Sequence, residues 1–254
     1  MVTIGCVCVC AAGEEPGLRF NTIEFRSQTF HVVHTPIEKD NVRLMWKDDA
    51  EERYRSFGTL KSSLAREGYT LRFATNAGIF TPQFKPAGLY IEAGTELRKL
   101  NTKEGRGNFH LMPNGVFYID GDGAEVVTTE RYQDRDPSPE WAVQSGPMLV
   151  IDGDIHPAFN EGSSNVRVRS GVGVTESGEV VFALSQHFVN FFDFASLFRD
   201  ELGCDNALYL DGDLSMFYAP ELDKTFDGGN YAAMFAIVEP IDVASHDQAE
   251  ETNE

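Results

Sequence analysis

Three Asp-Gly-Asp triplets stand at 120–122, 152–154 and 211–213, and only the third, in "ALYLDGDLSM", sets a serine, Ser215, four residues after its first acid. The first triplet joins "NGVFYI" to "AEVVTT" and the second joins "MLVI" to "IHPAF". Asp-Gly between two strand-like runs is tight-hairpin chemistry, because glycine accepts a positive φ. Both therefore read as turns. The third follows the apolar run "ALYL" and precedes "LSMFYAP", which is no alternating mate. Asp211 thus reads as a carboxylate at the C-terminal end of a strand, a common location for chemistry. A hairpin turn is the competing reading, and a calcium loop ranks lower, because the alternate oxygen ligands and the distal bidentate glutamate are missing.

Other polar groups sit at comparable places. Asn76 ends the strand "YTLRFAT" and precedes Ala77 and Gly78, a glycine that lets the backbone approach a ligand closely. Gln144, Ser145 and Gly146 offer amide, hydroxyl and open backbone donors ahead of Pro147, a combination suited to holding an oxyanion. Glu92, at the end of "GLYIE", is the second carboxylate to consider as acid or base. His187, after "ALSQ", could bond substrate or a carboxylate, against an ordinary structural role. Asn108 and Asn114 are polar cleft candidates that turn chemistry also explains.

The elements that must hold these groups are short. "NTIEFRSQTFHVVHT" predicts two strands around a Ser27-Gln28 turn. "SFGTLKSSLAREG" predicts a helix, with Phe57, Leu60 and Leu64 at helical spacing and Gly68 as its stop. "VRVRSGVGVTESGEVVFALS" predicts two strands joined at Glu176-Ser177-Gly178. A second helix follows, with Phe194, Leu197, Phe198 and Leu202 on one face, Asp193 as N-cap and Gly203 as its stop. Many hairpins and two convincing helices predict an α+β fold: a single domain over 21–240 of twisted, mostly antiparallel sheets with a few packed helices. There is no Gly-rich strand-to-helix phosphate loop.

Composition narrows the function. The 254 residues are 42% hydrophobic and 11% aromatic, enough for one substantial core, in one body or two packed halves. Forty acids against 21 bases give a net charge of −19, which argues against nucleic-acid and anionic-membrane partners. Cys6, Cys8 and Cys10 crowd an apolar start ending in small residues, so 1–20 reads as an export leader or linker, with Cys6 as a lipid-anchor candidate. The expected location is exported: periplasmic, lipid-anchored at the cell surface, or secreted. Cys204 alone remains in the body, which excludes a disulfide framework there, and no Cys/His spacing suggests zinc. No run reaches the ~18 apolar residues of a transmembrane helix. Residues 241–254 lose their apolar period and gain acids, and read as a frayed tail.

Four segments, "TNAGIF" (75–80), "QSGPML" (144–149), "VRVRSGVG" (166–173) and "ALYLDGDLS" (207–215), resemble in order the motif blocks of the phosphodiester glycosidase family. That family includes the lysosomal uncovering enzyme, N-acetylglucosamine-1-phosphodiester alpha-N-acetylglucosaminidase. The intervening "PAGLYIEAG" and "GNFHLMPNGVFYIDG" are more similar to its bacterial branch of exported proteins. Where the lysosomal type carries Leu-Asp-Gly-Gly-Gly-Ser, this chain has Asp213-Leu214 in place of two glycines, which bears on the substrate.

The resemblance implies cleavage of a sugar's anomeric bond to a phosphodiester, on a sugar-phosphate small molecule or an envelope glycopolymer, with no cofactor expected and calcium as a minor alternative. It assigns Arg169 to the substrate phosphate, with Arg167 in reserve, since a guanidinium forms bidentate charge-assisted bonds. Asp211 would act at the anomeric centre or activate water, with Glu92 as the second carboxylate. Ser215 would bond that carboxylate or a sugar hydroxyl, and Asn76, Gly78, Gln144, Ser145, Gly146, His187 and Gly212 would contact substrate. The alternative is a non-catalytic envelope module that binds glycan in the same cleft.

Overall fold

The structure, a computed structural model, describes residues 17–37, 41–212 and 214–241. The leader-like segment with its three cysteines, Asp213, and the acidic tail from 242 lie outside the described residues. In chain order the strands are β1 (Arg19–Phe25), β2 (Gln28–Thr35), β3 (Val42–Met45), β4 (Tyr69–Asn76), β5 (Tyr90–Glu92), β6 (Thr95–Arg98), β7 (Gly115–Asp120) and β8 (Gly123–Thr128). There follow β9 (Trp141–Ser145), β10 (Met148–Ile151), β11 (Asp154–Ile155), β12 (Ser170–Thr175), β13 (Val180–Ser185), β14 (Cys204–Asp211), β15 (Phe217–Tyr218) and β16 (Met234–Pro240). Three short helices intervene: α1 (Phe57–Arg66), α2 (Thr129–Arg135) and α3 (Phe191–Ser196), the last running on into a π-helical turn, Leu197–Glu201.

The strands form three sheets, ordered β1-β2-β13-β12-β14-β10-β11, β15-β4-β16-β3 and β6-β5-β9-β7-β8. Every pairing among the described strands is antiparallel. All three sheets turn one face to a common core: Val33, Val172, Phe182 and Leu208 from the first meet Leu44, Phe73 and Phe235 from the second and Tyr90, Phe117 and Val143 from the third. Phe73 and Phe235 lie at the junction. Phe73 is 5.2 Å from Phe182, and Phe235 is 5.3 Å from Phe117 and 5.1 Å from Phe182, ring centre to ring centre.

Each sheet's outer face is covered by one helix. α1 sets Phe57, Leu60 and Leu64 on the second sheet, α3 and its π-turn set Phe194 and Phe198 on the first, and α2 sets Tyr132 on the third. With both faces buried, β13 and most of β14 are continuous apolar runs instead of alternating ones. The two glycines of β12 follow from this packing. A Cβ on Gly171 would stand 3.0 Å from Phe198 Cε2, and one on Gly173 would stand 2.8 Å from Cys204 Sγ and 2.9 Å from Phe198 Cδ1.

Local differences from the sequence reading have local causes. The first hairpin turns at Arg26-Ser27, one residue earlier than expected, because both residues take the left-handed conformation (φ 49° and 60°) and Phe25 pairs with Gln28. The N-cap of α3 is Asn190, whose side-chain Oδ1 accepts the Asp193 N–H while its Nδ2 donates to the Asp193 carboxylate, so the two side chains brace the first turn. β1 begins at Arg19, inside the stretch read as leader or linker. The first two Asp-Gly-Asp triplets do close hairpins, at Asp120↔Gly123 and at Ile151↔Asp154, the latter with Asp152 and Gly153 both at positive φ.

Candidate active site

The chain ends β4, β9 and β14, one strand from each sheet, against the start of β12. Asn76, Ser145 and Asp211 are the last residues of the first three, and Ser170 is the first residue of the fourth. Ser170 pairs with Asp211 across β12 and β14, and its hydroxyl lies 3.0 Å from Asn76 Oδ1 and 3.1 Å from Ser215 Oγ. Ser215 Oγ donates to the Asp211 carbonyl at 2.6 Å, and Asp211 Oδ1 accepts the Gly212 N–H at 2.6 Å. Ser215 therefore secures the main chain of the loop after Asp211. The expected bond to the carboxylate is not the one observed, because a hydroxyl four residues on reaches back to the carbonyl.

Asn76 is 1% exposed, and among the described residues its Nδ2 has no hydrogen-bond partner, whereas Oδ1 meets Ser170 and Thr75. A buried amide donor without an acceptor is costly in a protein interior, and at a ligand site it is a common exception. Next to it Gly78 takes φ 87°, and an added Cβ would stand 3.1 Å from Ser145 Oγ. That hydroxyl accepts the Ile79 N–H at 3.2 Å and lies 3.5 Å from the Leu210 carbonyl, tying the β4 end to the strand that carries Asp211.

The two arginines differ sharply. Arg169 is 1% exposed; its Nε donates to Val189 O, Nη1 to Tyr209 Oη and Nη2 to Asn165 O, and its Cζ lies 3.6 Å from the Phe191 ring centre. Among the described residues no carboxylate forms an ion pair with it. Burial lowers its pKa, with the Tyr209 hydroxyl acting in the opposite sense. Arg167 is exposed and donates to the neighbouring Val166 carbonyl. Arg167 borders the Asp211 loop directly and Arg169 reaches it through Tyr209, since a Cβ on Gly212 would stand 2.2 Å from Tyr209 Oη and 3.5 Å from Arg167 Cβ. His187 is exposed on the bend before Val189, which bridges to Arg167. Tyr231, buried, has its pKa raised to about 12, by desolvation first and then by the charge of Asp211.

Several expected groups lie elsewhere. Gln144 follows the two-residue period of β9 and faces away from Ser145; its Oε1 accepts from Leu89 and Asn101 N–H, and its Nε2 donates to Asn101 O and Thr129 Oγ1. With all four amide bonds made, it is a strut between loops and not an oxyanion donor. Gly146 is not open either, since an added Cβ would stand 2.6 Å from Asn114 Cβ. Asn114 itself is buried between Phe109 O and Thr129 Oγ1, and Asn108 is exposed at the start of a 3-10 turn. Glu92 opens into a separate cleft with Tyr54, Ser63 and Trp141, whose lining contains none of Asn76, Ser145, Ser170, Asp211 or Ser215.

Ser170 and Tyr209, which link the cluster, were not singled out in the sequence. Both stand inside quoted segments, "VRSGVG" and "ALYLDG", and the signal for them is the two-residue alternation beside Arg169 and Asp211. Among the described residues no three His, Cys, Asp or Glu side chains gather to hold a metal, and no helix is long and apolar enough to cross a membrane.

The family model for phosphodiester glycosidase matches residues 69–250, which takes in every member of this cluster. The chain belongs to the phosphodiester glycosidase family. The chain is 35% identical over 181 residues to the uncharacterized protein YigE of Escherichia coli, covering 71% of the chain and 70% of that protein. Its fold is similar to the zebrafish N-acetylglucosamine-1-phosphodiester alpha-N-acetylglucosaminidase catalytic domain, auto-inhibited by its pro-peptide, with a TM-score of 0.62 at 15% identity over 90% of this chain and 85% of the other. A Burkholderia pseudomallei protein designated as exported matches with a TM-score of 0.54 at 10% identity, over 84% and 74%.

Proposed function

We propose that this protein hydrolyses the bond between a sugar's anomeric carbon and a phosphodiester, releasing free sugar and a phosphomonoester. The observation that carries this reading is the convergence of Asp211, the buried unpartnered amide of Asn76 and the arginine pair 167/169 at one place. Asp211 is the carboxylate that attacks the anomeric carbon or activates water. Asn76 Nδ2 donates to a sugar hydroxyl or phosphate oxygen.

The phosphate contact moves from Arg169 to Arg167, because the Arg169 guanidinium is enclosed by carbonyls and rings while Arg167 is exposed beside Gly212. Arg169 contributes its charge from behind, in a poorly solvated setting where a cation acts over a longer range. A phosphomonoester has a second pKa of about 6 and departs readily, so a second carboxylic acid for the leaving oxygen is less necessary. This fits a site from which Glu92 is absent. The substrate class is a sugar-phosphate small molecule or an envelope glycopolymer, met outside the cytoplasm by an exported protein.

The experiment is to incubate the protein with sugar-1-phosphodiesters and measure released reducing sugar. Asp211→Asn is expected to lower kcat at least about a hundredfold. No turnover across several sugars, or Asp211→Asn equal to wild type, sinks the reading. Glycan binding without any wild-type hydrolysis would favour a binding module instead, an outcome kept open by the single carboxylate placed in the cluster among the described residues.

A further inference from the structure

The charge of −19 is not spread evenly over this fold. The pairings place the ends of β4, β6, β9 and β14 and the starts of β5, β7, β12 and β16 at one end of the molecule, the end that carries Asp211. The tight turns at the opposite end are acidic, with Asp120 and Asp122 after β7, Asp152 after β10 and Glu176 after β12.

On the Asp211 side, the loop from β6 to β7 reverses that sign. Residues 97–110 hold Arg98, Lys99, Lys103 and Arg106 against a single acid, Glu104. Lys99, Lys103 and Arg106 are exposed, and so is Lys85 on the neighbouring loop between β4 and β5. Among the described residues none of these four forms an ion pair, whereas Arg19, Arg26, Arg72, Arg131 and Arg199 each pair with a carboxylate. Like charges gathered without partners repel one another, and an anionic ligand removes that repulsion.

The basic loop is tied to the Asp211 cluster by hydrogen bonds. Gln144, beside Ser145 on β9, accepts the Asn101 N–H at 2.9 Å and donates to Asn101 O at 2.9 Å. Asn101 Oδ1 accepts the Lys103 N–H at 3.1 Å, and its Nδ2 donates to Ala87 O at 2.8 Å. The Ala87 N–H goes to Ile79 O, and the Ile79 N–H goes to Ser145 Oγ. The fully bonded Gln144 thus fixes a basic loop next to the strand end that carries Ser145. Lys85 stands two residues before Ala87 in the same connection.

Three cations spread over an exposed loop enclose no single ion. They match a chain that presents phosphates at intervals, each met by a separate Lys or Arg. We propose that Lys85, Lys99, Lys103 and Arg106 form a subsite for the further phosphates of a polyanionic substrate whose terminal sugar phosphodiester lies at Asp211. This rests on the hydrolytic reading of Asp211 and narrows its substrate class to a polymer with several phosphates.

The test separates binding from hydrolysis. The full chain is titrated by calorimetry at low ionic strength with a linear glycerol-phosphate oligomer, and with orthophosphate as the single-phosphate control. The oligomer is expected to bind saturably and at least about tenfold more tightly than orthophosphate, in wild type and in Asp211→Asn alike. With Lys99→Ser, Lys103→Ser and Arg106→Ser combined, it should bind at least about tenfold more weakly, and the log–log salt slope should shrink by about 2, the share of three phosphate contacts. The oligomer should also inhibit hydrolysis of a glyceryl sugar-1-phosphodiester by wild type, and inhibit the triple variant far less, while turnover of that small substrate stays the same in both. No saturable binding of the oligomer, equal affinity in the triple variant, or binding that leaves hydrolysis uninhibited overturns the proposal. Phosphatidylglycerol vesicles bound in preference to the oligomer would overturn it in favour of a membrane contact. Oligomer binding that depends on the three cations, with no turnover of any sugar phosphodiester, keeps the anion subsite and removes the hydrolytic reading instead.

Discussion

Arg169 and Arg167 lie two residues apart and do different work, which separate substitutions resolve. Replacing Arg169 with Met removes the guanidinium bonds to Asn165 O, Val189 O and the Tyr209 hydroxyl, of which Val189 O keeps the Arg167 N–H, and is expected to cost about 2–4 kcal/mol in chemical denaturation. Replacing Arg167 with Ala is expected to leave the denaturation midpoint unchanged and to lower kcat/KM for a sugar phosphodiester about tenfold or more. The reverse pattern would return the phosphate contact to Arg169. Glu92 offers a test through pH. Its folded pKa of about 7 lies above the ordinary 4.5, so the folded state holds a proton that the unfolded chain releases, and stability falls as pH rises from 4.5 to 7. Glu92→Gln removes that cost, at most about 3 kcal/mol before screening by cleft water, and is expected to raise the Tm at pH 8 but not at pH 4. Asp211 was legible because its triplet lacks a strand mate on its far side. Ser170 was not, because its meaning depends on pairing with a residue 41 positions away. Gln144 and Ser145 are adjacent in sequence, and only the register of β9 decides that Ser145 meets the Ile79 N–H and the Leu210 carbonyl while Gln144 faces away.

The elements were easiest to read where they carry their own signals. α1 has a serine cap, a 3–4 apolar spacing and a glycine at φ 83° after it, all local, and it forms where expected. β12 is harder to explain from local sequence, since "SGVG" has weak strand propensity. Its glycines are set by what lies over them: Phe198 on the π-turn packs directly on the strand. Gly171→Val is therefore expected to cost about 1–3 kcal/mol by overpacking against Phe198, Leu149 and the Leu208 carbonyl, read as a lower denaturation midpoint. Phe198→Ala in the same chain should recover part of that loss, and a simple sum of the two costs would show that the contact is not the cause. The π-turn itself left no sequence signal beyond an apolar face that an α-helix would share.

At the scale of the whole molecule, the α+β reading holds in its coarse form, and the arrangement of three sheets around one core was hidden because it rests on contacts between distant strands. A formal charge of −19 places the folded chain under self-repulsion, so raising ionic strength from about 0.01 M to about 0.3 M, where screening shortens from ~30 Å to below 10 Å, is expected to raise the Tm at pH 7. A salt-independent Tm would mean that the ion pairs, such as Arg131 with Asp152 and Arg72 with Glu221, already balance the field. The cluster around Asp211 takes its parts from the ends of strands in all three sheets, and Ser170, Asn76 and Ser145 stitch them together. No smaller piece of the chain carries a working copy of it. Activity and architecture should then share one transition: the heat-inactivation curve and the unfolding curve should superimpose, with no warm interval in which a folded body has already lost its chemistry.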